Sequence, residues 1–451
     1  MGSDGGRIAG LLGLIAFAGC SSSSPPAESA ILITIDTWRA DRFGAGGHPD
    51  VRTPHLDRFF RGGTQFVDAW APIPTTLASH ASLLTGEWPT GHGVPRNGWP
   101  VPEDVVTIAE LLGEEGFSTA AFVSSAALDP GFRLGQGFDV YDFASTARVE
   151  RDQNWRPAPA TLERAQRWWE STPGRRLLWV HFFEPHFPYD PDPVDFALYD
   201  TGYRGPADGS MDFLFAAWAD SSLLQGGARA HLEALYHAEI TGLDRKLGRF
   251  LDALAVEHRL LTILTADHGE SLGEHGLSFK HGPHVFAGDV SVPLVARGVA
   301  PFGPGVSDAV VRTVDVPGTI LDLLGVEANL PEGAAALTPS PGHGGDRLSF
   351  AEASMPWNVE EAGLYANAHK QRVIRTRDWT YVETPFANEK LWFDRRRDPG
   401  ERRPAAGPGG EEKDRLTREL TEWIARGTHR PAPSTVDPEL IEQLRALGYI
   451  E

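Results

Sequence analysis

Four apolar runs limit what this chain can fold into. They are AILITI (Ala30 to Ile35), STAAFV (Ser118 to Val123), LLWVHFF (Leu177 to Phe183) and LLTILTA (Leu260 to Ala266). Short unbroken apolar runs of this kind suit strands that are covered on both faces, as in a parallel sheet. Each run stops at polar residues: Asp36; Ser124 and Ser125; Glu184 and His186; Asp267 and His268. Open α/β sheets place their sites at the carboxyl ends of strands. The pattern therefore carries information about chemistry as well as fold.

Helical segments alternate with the runs. Thr107 to Glu115 precedes the second, and Leu232 to Leu254, with leucines and other apolar residues on one face, feeds the fourth. Val316 to Leu324 is a shorter helix closed by Gly325. The expected fold is α/β, a large and mostly parallel sheet sandwiched by helices. The character changes near Asn358. Arg372 to Glu383 reads as a hairpin turning near Arg377 and Asp378, Leu391 to Phe393 as a short strand, and Glu411 to Ala425 as a helix. The expected division is a catalytic α/β domain over 30–357 and a small C-terminal α+β subdomain with its tail over 358–451.

The start of the chain reads as an address. Ile8 to Gly19 is uncharged and apolar, too short to span a bilayer comfortably and suited to the core of a signal peptide. Small residues Ala18 and Gly19 precede Cys20, the only cysteine, which resembles a bacterial lipoprotein signal. The segment 1–19 is then a signal peptide and 20–29 a lipidated Cys20 with a flexible tether. This predicts a periplasmic or cell-surface lipoprotein, outer-membrane anchored through the N-terminal lipid. One cysteine excludes a disulfide framework and any Cys-rich zinc module. The 61 acidic against 41 basic residues, a net charge of −20, make nucleic acid a poor partner.

Three segments carry candidate chemistry. Asp36 ends the first run, although a turn-forming Asp is common there. Pro74 to Gly86 (PTTLASHASLLTG) opens a small-residue helix with Thr76 at or near its N-cap. A helix N-terminus favours an anion such as phosphate or sulfate, although a capping threonine alone would explain Thr76. Thr265 to His284 (TADHGESLGEHGLSFKHGPH) sets Asp267 and His268, good ligands for a divalent metal, directly after a buried strand. Lys280 and the histidines at 275, 281 and 284 follow on a Gly-rich loop. Trp38, Trp70, Trp99 and Trp179 read as core residues, with a pocket lining as the alternative.

Together these pieces resemble the sulfatase family within the alkaline phosphatase superfamily. The resemblance rests on ILITIDTWRADRFG, PTTLASHASLLTG, FFEPHFPY, TADHGESLGEHG, the DPGE turn at Asp398 to Glu401 and LRALGY, in family order. It implies that Asp36, Asp267 and His268 ligate a metal and that His186 contacts the anionic group of the substrate. Lys280 and Asn97 match the substrate-binding lysine and the asparagine near the nucleophile of phosphonate monoester hydrolases.

The departures are informative. Sulfatases carry C-x-P-S-R, whose Cys or Ser matures to formylglycine, whereas this chain has Thr76-Leu77-Ala78-Ser79-His80. Threonine is not a substrate of that maturation. Thr37 replaces the second Asp of the usual pair, and Ser124 and Ser125 occupy the region of the usual Lys-x-His. What remains, Asp36, Thr76, Asp267 and His268, resembles one metal site of nucleotide pyrophosphatases/phosphodiesterases and of phosphoethanolamine transferases, where Thr is the direct nucleophile. One divalent ion (Mn, Zn or Ca) and no formylglycine are expected. His80, or another nearby His, would be the general acid. Glu184, His186 and His284 are the candidates for a second metal, although Glu-Pro-His does not match the Asp-x-x-x-His of two-metal enzymes. The lead expectation is a hydrolase of small-molecule, glycan or lipid esters that works through Thr76. Phosphodiesters or phosphonate monoesters are favoured over sulfate esters. A phospho-alcohol transferase and an inactive anion-binding surface protein are the alternatives.

Overall fold

The computed structural model describes residues 27–143, 155–328, 330, 336–339, 347–355, 370–427 and 438–446. Cys20 and the leader lie outside these residues, as does the expected domain boundary at 357/358. All four apolar runs are strands: Ser29–Ile35, Ser118–Val123, Arg176–Phe182 and Leu260–Ala266. They lie in an eight-stranded sheet. From one edge its order is Gly305–Ser307, Thr64–Phe66, Leu294–Arg297, Leu260–Ala266, Ser29–Ile35, Arg176–Phe182, Ser118–Val123, Val140–Phe143. The last five are mutually parallel. Leu294–Arg297 runs antiparallel to both of its neighbours. The sheet is therefore mixed and mostly parallel, flanked by helices. Its other four strands, of three or four residues each, are too short to stand out in the sequence.

The central strands are buried along almost their whole length, so both faces of the sheet are covered. The long helix Ala228–Leu254 packs on the helix Pro54–Arg61. The helix Thr76–Thr85 is unusual because all ten of its residues are buried. Its run of Ala and Ser lets neighbouring backbone approach from every side. Gly86 ends it at φ 73°, a left-handed cap that donates its N–H to the Ser82 carbonyl. The four tryptophans are core residues, each less than a tenth exposed.

A second, four-stranded antiparallel sheet comprises Ser349–Glu352, Arg372–Arg375, Trp379–Thr384 and Glu389–Asp394, with the helix Gly410–Ala425 packed on it. The predicted hairpin is present. Ser349–Glu352 joins this sheet from the N-terminal side of the expected boundary. A buried pair holds the appended sheet to the loops of the large one: Arg375 binds Glu401 at 2.7 and 2.8 Å and also the Val285 carbonyl at 2.6 Å.

Candidate active site

Strand register brings the first two acids together. Ile35 pairs with Ala266 across parallel neighbours, so Asp36 and Asp267 leave the sheet at the same height. Adjacent strands are about 4.8 Å apart, which sets the carboxylates side by side. Asp267 Oδ1 accepts the backbone N–H groups of His268 (2.7 Å) and Thr37 (3.2 Å). Its Oδ2 and both oxygens of Asp36 have no hydrogen-bond partner. His268 donates Nδ1–H to the Gly269 carbonyl at 2.9 Å, which turns the Nε2 lone pair inward. That nitrogen lies 3.8 Å from Asp36 Oδ1 and 3.6 Å from Asp267 Oδ2.

Burial pushes the Asp36 carboxyl up to about 7, against the opposing pull of His268 and the Thr37 N–H. Burial and then Asp36 itself raise Asp267. Two buried carboxylates with unused oxygens are costly unless a cation joins them. The donor atoms of Asp36, Asp267 and His268 lie within 4.8 Å of one another, and the His268 tautomer is that of a ligand. These residues fit a divalent metal.

The buried helix supplies the hydroxyl. Thr75 is its N-cap and Thr76 its first helical residue, one position later than a capping role would need. Thr75 makes no side-chain capping bond, and the Thr76 hydroxyl is fully buried with no partner. Ser79, one turn on, ties the helix to the strand end at Asp267 by donating to the Asp267 carbonyl at 2.6 Å. Asn97 Oδ1 accepts the Leu77 N–H at 2.8 Å, and its amide nitrogen is buried without a partner.

His80 departs from its expected role. Its Nδ1–H donates to the Thr76 carbonyl at 2.7 Å, and its Nε2 accepts from the Thr34 hydroxyl at 2.9 Å. Trp179 donates to the same hydroxyl at 2.9 Å. Burial drives the imidazole down to about 3. With both nitrogens committed and the ring neutral, His80 has no proton to hand to a leaving group. It holds the helix instead.

His181 gave no separate signal, because it sits inside an apolar run. The one hint is that it is the only ionisable residue in LLWVHFF. Its Nδ1 accepts the Ser124 N–H at 3.4 Å, which leaves a proton on Nε2, 3.7 Å from Asp36 Oδ2. His80, His181 and Asp267 form a second close group of donor atoms. Neither histidine presents a lone pair to an ion there, so the first group is the better candidate metal centre. His181 faces Asp36 as a donor, with burial lowering its imidazole to about 4.

The remaining candidates divide. His186 is buried, bonds the Phe187 carbonyl, and lies 5.2 Å ring to ring from His281. His281 lies 4.5 Å from the His268 ring and 3.4 Å from Glu270 Oε2, so a row of imidazoles joins His186 to the metal group. The sequence names His281 only as one of the histidines on the Gly-rich loop, and it gives the buried Glu270 no role. Lys280 is half-buried, with its ammonium 5.0 Å from the Trp218 ring centre. The expected second-metal residues lie elsewhere. Glu184 accepts the Ala158 N–H at 3.1 Å and sits 3.6 Å from Lys246. His284 packs against His275 and Phe286. Neither belongs to a donor group among the described residues.

Comparison with known proteins agrees with this geometry. The ulvan-active sulfatase of Formosa agariphila is 26% identical over 410 residues, covering 83% of this chain and 76% of its own. A structure solved with D-glucosamine-2-N,6-O-disulfate as its substrate superposes with a TM-score of 0.72 at 19% identity, covering 91% of this chain and 100% of that one. The phosphonate monoester hydrolase of Silicibacter pomeroyi superposes with a TM-score of 0.67 at 22% identity, covering 90% and 96%. The sulfatase family model matches residues 29–326, well over half of the chain. This chain belongs to the sulfatase family and is an ester hydrolase of that family.

Proposed function

We propose that this protein hydrolyses phosphodiesters or phosphonate monoesters with the Thr76 hydroxyl as direct nucleophile. The observation that carries the reading is the buried Thr76 hydroxyl, without a hydrogen-bond partner, on a helix tied through Ser79 to Asp267. Asp36, Asp267 and His268 would hold one divalent ion. Two carboxylates and an imidazole suit Zn or Mn better than Ca, which prefers six to eight oxygen ligands. When bound, such an ion lowers the pKa of a nearby hydroxyl and offsets charge on the non-bridging oxygens.

Thr76 Oγ gives up its proton to solvent and attacks phosphorus, the bond from phosphorus to the leaving oxygen breaks, and that oxygen departs as the alcohol after taking a proton from Lys280 or solvent. Water then cleaves the threonine ester, which still carries the second substituent on phosphorus, restores the hydroxyl and releases the phosphate monoester or phosphonate. The Asn97 amide, Lys280 and the N-terminus of the helix supply donors and positive potential to the equatorial oxygens. A formylglycine route is disfavoured, since the sole cysteine is Cys20 and the matching position is Thr76.

A sulfate ester is the second reading, favoured by the ulvan-active relative. Aryl phosphodiester, phosphonate monoester and sulfate ester substrates assayed side by side on the Zn- or Mn-loaded protein decide between them. Turnover of a phosphorus ester with an ester-phosphoryl or phosphonyl group trapped on Thr76, seen by peptide mass spectrometry, is expected. Turnover of the sulfate ester alone would replace the lead reading by the second.

We further propose that Cys20 carries the lipid that anchors the enzyme. Among the described residues no helix is long and apolar enough to cross a membrane. Cys20→Ser is expected to move the enzyme from the membrane fraction to the soluble one. Retention of the variant in the membrane would oppose the anchor.

A further inference from the structure

Thr37 carries two penalties that a glycine would avoid. Its φ is 53°, in the left-handed region, where a β-branched side chain is a genuine outlier. Its hydroxyl is fully buried with no hydrogen-bond partner. Strain of this kind persists where the surroundings enforce it and a function uses it.

The surroundings here are explicit. The Thr37 N–H donates to Asp267 Oδ1 at 3.2 Å, and the Thr37 carbonyl accepts from the buried Tyr236 hydroxyl at 2.7 Å. Tyr236 also accepts the Arg39 N–H at 3.2 Å. Those bonds fix the backbone and account for the turn, but glycine would make all of them. They leave the side chain unexplained. The residue follows Asp36 directly, its N–H grips the Asp267 carboxylate, and its side chain brings one oxygen with no hydrogen-bond partner.

We propose that Thr37 Oγ1 is a neutral ligand of the divalent ion gathered by Asp36, Asp267 and His268. The proposal rests on reading that cluster as a metal site. A hydroxyl oxygen has the lone pairs to face a cation, and doing so relieves its isolation. Its neutrality matters for the reaction. Two carboxylates balance a divalent ion, so the centre still accepts a singly charged ester.

The test uses Thr37→Val, which keeps the shape and the strain and removes the oxygen. Thr37→Ser keeps the oxygen, and Thr37→Gly removes both. Zn and Mn binding to metal-stripped protein are measured by calorimetry, and the cobalt-substituted proteins by visible absorption. The Val and Gly variants are expected to bind about 10- to 100-fold more weakly with an altered cobalt spectrum, and Ser within about threefold of the parent. Metal-stripped Thr37→Gly should melt above the metal-stripped parent, because the strain is gone. Parental affinity and an unchanged spectrum in Thr37→Val would overturn the proposal, as would an effect confined to KM, which would place the hydroxyl on the substrate. If Val does not fold, the contrast of Ser with Gly decides in the same way. A parent protein that takes up no ion at all would overturn the metal site itself, and this ligand with it.

Discussion

Thr76→Ala is expected to lower kcat/KM by roughly a thousandfold to a millionfold, the range seen when a covalent nucleophile is removed. Thr76→Ser should keep measurable turnover. The same change should leave the melting temperature level or raise it. The Thr76 hydroxyl is buried without a partner, so its removal breaks no internal hydrogen bond and relieves an unsatisfied group. Alanine is also the better helix former at this position in Thr76–Thr85. A buried position where the wild-type residue lowers stability and yet is needed for turnover is the signature of a functional group. Steady-state kinetics on a phosphodiester, run beside thermal melts of the same preparations, check both halves. A loss of less than about tenfold would remove Thr76 from the chemistry. A fall of several degrees would mean that the hydroxyl is structural after all.

The readable part of this site is the part written at strand ends. Asp36, Asp267 and His268 follow apolar runs without interruption, and the parallel pairing of Ile35 with Ala266 makes neighbours of residues more than 200 positions apart. Periodicity can supply that much, because burial on both faces forces the run and the run fixes where it stops. It cannot say which way an imidazole is turned. His80 is four residues after Thr76, a spacing that suggests partnership on one helix face. The structure spends that spacing on a bond back to the Thr76 carbonyl, so the side chain braces the helix that carries Thr76. His181 is hidden for the opposite reason. It lies inside a strand, where sequence reading assigns residues to the core, and only the register with Thr34 brings it beside Asp36. The short strands Thr64–Phe66 and Gly305–Ser307 are missed because three residues hold no period.

Removing the metal should steepen the loss of stability as pH rises. In the metal-free protein burial pushes Asp36 up to about 7, and Asp289 and Glu239 up to about 8. Each folded value lies above its unfolded one, so the native state binds more protons than the unfolded chain between about pH 4 and 8. Stability contributed by these groups is present below about pH 4 and is lost as pH rises through their folded values. The shift at Asp36, from 3.8 to about 7, corresponds to about 4 kcal/mol at about 1.4 kcal/mol per unit. Glu274 has the opposite sign. Arg39 overrides its burial and holds it down at about 2, so its contribution fails only in stronger acid. The chelated protein should therefore melt highest near pH 5 and about 5 °C lower by pH 8. A divalent ion takes the place of the proton on Asp36, so metal should restore the melting temperature at pH 8 and do little at pH 5. Ion affinity should fall at least tenfold per pH unit below pH 7, since Asp36 gives up a proton to each ion bound and Asp267 is raised as well. Thermal melts with and without chelator across pH 5 to 8 make the comparison. A stabilisation by metal that is flat across that range would mean that Asp36 is not the carboxylate the ion deprotonates.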